Sequence, residues 1–114
     1  VALSRNVAGK HAMEMLLTGD MTPAARAAEI GLVNHAVAPE ALRDTAMQMA
    51  RKIASKSSMT LATGKRAFYA QREMPLAQAY DYASGVMVEN MLALDAQEGI
   101  GAFIEKRAPQ WQDA

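Results

Sequence analysis

The sequence predicts an all-α chain, and three observations carry that prediction. Apolar residues recur at three- and four-residue steps through most of the 114 residues. Glycine and proline fall where one such stretch must stop and the next start. Only residues 32–37 are β-branched enough to read as extended, and one short segment makes no sheet alone.

The first helix is expected from Ser4 or Arg5 to Leu17, with Ala8, Ala12, Met15 and Leu16 on one face. Gly19 stops it. Thr22 reads as the N-cap of a second helix, Pro23 as its first helical residue, and Gly31 as its stop. The extended segment follows, bounded by Gly31 and Pro39. From Glu40 a long helix places Leu42, Ala46, Met49, Ala50, Ile53 and Ala54 at helical steps, and Ser55-Lys56-Ser57-Ser58 ends it. The next, from about Met59 to Glu73, is expected to bury Leu61 and Phe68, with Tyr69 a further candidate. Pro75 opens a helix whose stripe is Leu76, Tyr80, Ala83, Met87, Met91 and Leu94. Gly85 inside it costs about 1 kcal/mol relative to Ala, which suggests a close helix approach or a kink. Asp95 and Glu98 fit an N-cap and N3 pair opening the last helix, and Pro109 blocks its continuation.

Hydrophobic content of 51% supports a core, yet only 5% of residues are aromatic, so Ala, Leu, Ile, Val and nine Met must build it. Methionine suits a pocket for a flexible apolar ligand, but the helical spacing of these residues is explained by ordinary packing. The absence of cysteine excludes disulfides, a thiol nucleophile and Cys-based zinc sites, and permits a reducing compartment. No apolar run approaches the roughly 20 residues of a bilayer span, so no membrane partner is expected. Net charge is zero but unevenly laid out: residues 45–72 carry six bases and no acid, residues 73–105 six acids and no base. Helical layers of opposite sign explain this; a border for an anion such as a phosphate is the sharper alternative. Nucleic acid is not an expected partner, because acids offset the basic stretch and few aromatics interleave it.

Chemistry-bearing residues are sparse. His11 and His35 lack metal-ligand spacing, so no metal site is expected. None of the five serines sits in a nucleophile-elbow pattern. Gly99-Ile100-Gly101 is half a dinucleotide fingerprint with no strand before it. Asp95 and Glu98 are the only close carboxylate pair, and capping accounts for them, leaving no acid–base constellation.

Two motifs add what spacing does not. Leu16-Leu17-Thr18-Gly19-Asp20-Met21-Thr22-Pro23-Ala24 runs to Gly31-Leu32-Val33-Asn34, and Glu98-Gly99-Ile100-Gly101-Ala102-Phe103-Ile104-Glu105-Lys106-Arg107 closes the chain. In this order they resemble the C-terminal part of the crotonase family, the enoyl-CoA hydratases and isomerases, nearly end to end. Two departures stand inside the match: Ala8, with Gly9 next, where the family usually has glycine, and Arg26 where it usually has an acid.

The resemblance implies an acyl-CoA thioester as substrate, an enolate stabilised by two backbone N–H groups, carboxylates that move protons, and no separate cofactor. It implies that residues 1–37 end the core-proximal part and residues 38–114 form a helical oligomerisation region, packing trimers or hexamers. It also implies that Phe103 and Lys106 contact the CoA held by an adjacent subunit, an aromatic face for adenine and an ammonium for phosphate. No residue here matches the family's catalytic motifs. The chain, which opens at Val1 in a helical pattern, is therefore expected to be a C-terminal fragment whose α/β core lies upstream and to be inactive alone. The implied compartment is the cytoplasm, or the mitochondrial matrix in a eukaryote. A non-catalytic acyl-CoA-binding module and an unrelated helical interaction module, with its Leu76 to Leu94 stripe as a seam, remain the alternatives.

Overall fold

A computed structural model describes residues 1–114. It contains helices and no strand, and it divides into two compact units, residues 1–47 and 48–114.

The first unit holds α1 (Ala2–Asn6), α2 (Gly9–Thr18) and α3 (Ala24–Glu29). The single first helix expected from the pattern is broken, because Val7 is extended (φ −121°, ψ 162°) and buried. Periodicity continues across such a break, so the pattern alone does not reveal it. Gly19 ends α2 in the left-handed conformation (φ 69°), its N–H bonding to the Met15 carbonyl. Pro23 stands just before α3 at the cap position, one residue later than Thr22 was expected to serve, and no side chain caps this helix. Gly31 (φ 80°) closes α3: Leu32 N–H reaches Ala27 O at 2.8 Å and Gly31 N–H reaches Ala28 O at 3.1 Å. Residues 32–37 form turns and irregular chain instead of an extended strand, since no neighbouring strand supplies a ladder partner.

A 3₁₀ turn, Pro39–Ala41, leads into α4 (Leu42–Ala54), within which the division between the units falls. The second unit continues with α5 (Ser58–Gln71), α6 (Leu76–Leu92) and α7 (Leu94–Glu105). Ser57 caps α5 by accepting Thr60 N–H at 3.1 Å. α5 packs on α6, and α6 on α7. The side chains withdrawn from solvent include Met59, Thr63, Ala67 and Ala70 on α5, and Ala79, Tyr82, Val86 and Asn90 on α6.

The expected burial of Leu61, Phe68 and Tyr69 does not occur. All three are exposed, and Phe68 instead meets Tyr69 edge-on at 5.3 Å with the Arg72 guanidinium over its ring. Leu76, Tyr80, Met87, Met91 and Leu94 of the anticipated stripe are exposed as well. The fully buried apolar residues are Val7 and four alanines, Ala12, Ala27, Ala79 and Ala102. Gly85 marks no close approach, because a Cβ built there meets nothing within 4 Å. The accessible surface is 9087 Å². Even two separate globules of these unit sizes would expose only about 7,300 Å². Much of the apolar surface is therefore uncovered by the chain itself.

Candidate functional site

The chemistry of this chain gathers around α7 and the strap of residues 107–113 that folds back along it. α7 begins after Ala93, which offers no side-chain cap, so Asp95 and Glu98 are not the capping pair their spacing suggested. They lie inside the helix, where their carboxylates bind the returning chain.

Asp95 is only 1% exposed. Its Oδ1 accepts Gln112 N–H at 2.7 Å, its Oδ2 accepts Asp113 N–H at 3.0 Å, and the Ser57 hydroxyl donates to it as well. Those bonds, the Ser57 hydroxyl first, hold its carboxyl below the ordinary carboxylate value. Ser57 thus accepts from the first turn of α5 and donates to α7, joining two helices through one hydroxyl. The strap adds two further ties: Asp113 Oδ1 accepts Ser58 N–H at 2.7 Å, and Trp111 Nε1–H donates to Ser55 O at 2.8 Å. Gly99 lets the strap approach closely, since a Cβ at that position would lie 3.3 Å from the Trp111 ring.

One turn further on, Arg107 grips Glu98 with both guanidinium nitrogens, at 2.6 and 2.9 Å, and its Nε reaches Glu105 Oε2 at 2.6 Å. Glu98 also accepts Gln110 N–H at 2.7 Å. The Arg107 bonds, seconded by Gln110, lower the Glu98 carboxyl to about 2, and Arg107 is correspondingly raised.

Phe103 and Lys106 occupy the end of this helix. Phe103 is 83% exposed. Lys106 terminates α7 in the left-handed conformation (φ 55°, ψ 38°), a position glycine ordinarily fills. Its N–H bonds to Phe103 O at 3.3 Å, and Arg107 N–H bonds to Ala102 O at 3.0 Å, the paired closure of a Schellman motif. A groove of about 560 Å³ runs beside Phe103, walled by Leu61, Met91, Ile100 and Trp111 with Lys56 among its lining residues. The family motif thus marked the two exposed residues, while the Asp95, Glu98 and Arg107 network beside them was missed. The only signal for it was two acids inside a helix otherwise rich in apolar and small residues.

Neither Asp95 nor Glu98 is free to act as a general base, since backbone and side-chain donors take up their oxygens. His11 Nδ1 lies 3.9 Å from Glu14 Oε2, and no group of three His, Cys, Asp or Glu residues is placed to hold a metal. No helix is long and apolar enough to cross a membrane.

Comparison with known proteins adds the family. The family model described as enoyl-CoA hydratase/isomerase matches residues 1–114. The rat mitochondrial enoyl-CoA hydratase domain-containing protein 3 is 47% identical over 111 residues, covering 97% of this chain and 37% of that protein. A solved enoyl-CoA hydratase from Mycobacterium smegmatis superposes with a TM-score of 0.92 at 47% identity, over 96% of this chain and 42% of its own. Human enoyl-CoA hydratase domain-containing protein 3 gives 0.91 at 43% identity, over 96% and 43%. The chain spans about two fifths of the length of these relatives. With the whole chain matched and the helical architecture shared, this protein belongs to the enoyl-CoA hydratase/isomerase family.

Proposed function

We propose that this chain is the CoA-contacting and assembly region of an enzyme that hydrates or isomerises acyl-CoA thioesters. The observation that carries this reading is the end of α7: an aromatic ring almost fully in solvent, followed three residues later by a lysine with no ion-pair partner. A flat apolar face and a free ammonium suit the adenine and phosphates of CoA. The acyl-CoA is substrate, and no other cofactor is invoked. Proton transfer and oxyanion stabilisation are assigned to parts of the protein outside these residues, because Asp95 and Glu98 are already committed. The exposed side chains of Leu76, Tyr80, Met87, Met91 and Leu94 are the surface for packing on the protein's own core or on further copies, as a trimer or hexamer. The rat relative's name places it in mitochondria, and a matrix location in a eukaryote, or the cytoplasm in a bacterium, accords with this reading.

The test is Lys106→Ala in the full-length protein. A charge-assisted phosphate contact is worth about 1.5–3 kcal/mol at most, less where solvent screens it. KM for acyl-CoA should rise several-fold with kcat little changed, because the contact exists in ground and transition states alike. The effect should shrink at high salt and vanish with a pantetheine thioester. An equal loss with the truncated substrate removes the CoA role.

A further inference from the structure

Lys106 is held in a backbone conformation that an L residue readily leaves, and the groups that hold it flank it in sequence. Glu105 precedes it and Arg107 follows it, and their side chains close over the turn through the 2.6 Å Arg107 Nε to Glu105 Oε2 pair. Arg107 is itself fixed to the body of α7 by its two bonds to Glu98, whose Oε1 is steadied by Gln110 N–H. The same arrangement has an electrostatic result. Glu105, which adjoins Lys106, and Glu98 are both occupied by Arg107, and Asp113, seven residues on, accepts Ser58 N–H, so none of the three neutralises the lysine. Lys106 is left as the uncommitted cation at the helix end, while Arg107 is not available to a ligand.

We propose that Arg107 is a positioning residue for the acyl-CoA contact: by bridging Glu98 and Glu105 it locks Lys106 in the left-handed conformation and keeps its ammonium free for a phosphate. The proposal rests on the reading of Phe103 and Lys106 as CoA contacts. It differs from that reading in assigning affinity to a side chain that never touches the substrate.

A double-mutant cycle in the full-length protein tests it, with acyl-CoA and the matching pantetheine thioester as the two substrates. Freed of the clamp, the left-handed turn loses population by up to about five- to thirtyfold, less what its two backbone bonds retain, and apparent affinity falls with the competent fraction. Arg107→Gln should therefore raise KM for acyl-CoA several-fold, leave kcat nearly unchanged, and have no effect on the truncated thioester. In the Lys106→Ala background it should add nothing. The single tryptophan, Trp111, reports whether the strap stays docked, since its ring lies against Gly99 and its N–H against Ser55. Unaltered Trp111 emission with a raised KM supports positioning. Additive KM effects, or an equal effect on the truncated substrate, overturn the proposal. If Lys106→Ala raises KM and Arg107→Gln does not, only this proposal falls; if Lys106→Ala is itself silent, the CoA reading falls with it. Should Arg107→Gln fail to fold, Glu105→Gln removes only the pair across Lys106, and the same cycle applies with the same outcomes.

Discussion

Lys106→Gly should make the protein more stable while weakening its hold on CoA. The left-handed conformation at φ 55° costs a non-glycine residue about 1–2 kcal/mol. Glycine removes that strain but returns about 0.4–1 kcal/mol through its freer unfolded chain. From the midpoints of these ranges the net gain is about 0.8 kcal/mol, and Lys106 has no ion pair to lose. Lys106→Ala keeps the strain and should stay within about 0.5 kcal/mol of the parent, as surface substitutions usually do. Equilibrium urea unfolding separates them: with a slope of about 1–3 kcal/mol/M, the glycine variant should gain roughly 0.2–1 M in midpoint over the alanine variant. Both variants should lose acyl-CoA affinity alike. A glycine variant no more stable than the alanine one would refute the argument, because the strain at residue 106 would then have no energetic reality.

Three further outcomes are expected. Asp95 and Glu98 both titrate below their ordinary values, so their stabilisation is complete above about pH 4.5 and is lost as pH falls toward the Glu98 value of about 2; Glu98→Gln should flatten that acid limb in a pH series of unfolding curves. Gly85→Ala, with open space around the new methyl, should stabilise by about 1 kcal/mol, whereas Gly99→Ala must push the Trp111 ring and should shift tryptophan emission while returning less. The 114-residue chain alone should show no crotonyl-CoA turnover above buffer, measured by loss of the conjugated thioester's absorbance or by product analysis, because no acid–base pair is free in it.

The helices were legible because their starts and stops are chemical. Gly19 and Gly31 end α2 and α3 with positive φ as the punctuation suggested, and Ser57 and Pro75 precede the helices expected near them. What the pattern did not reveal was which apolar residues are covered. Leu76, Tyr80 and Met87 form a stripe at helical steps, yet the residues withdrawn from solvent lie on the adjacent face, at Ala79, Tyr82 and Val86. Residues 32–37 failed for the reason that β propensity is realised only beside a partner strand. At the helix end, Phe103 and Lys106 were marked by a family motif, which carries function. The bonds of Glu98 to Arg107 and of Asp95 to the strap join residues 9 to 18 positions apart through a reversal of the chain, and no periodicity encodes that reversal.

The alanine packing has a calorimetric consequence. An unfolded chain of 12.3 kDa exposes about 17,800 Å², so the fold withdraws about half of it, against about two thirds for a typical globule of this mass. Heat-capacity change scales with the surface uncovered, at about 12–15 cal/mol/K per residue in ordinary domains. Unfolding of this chain should fall about a quarter below that, giving a flatter stability curve with little penalty on cooling. The missing heat capacity would then appear in association, as a large negative change when the leucines, methionines and tyrosine of α6 leave water.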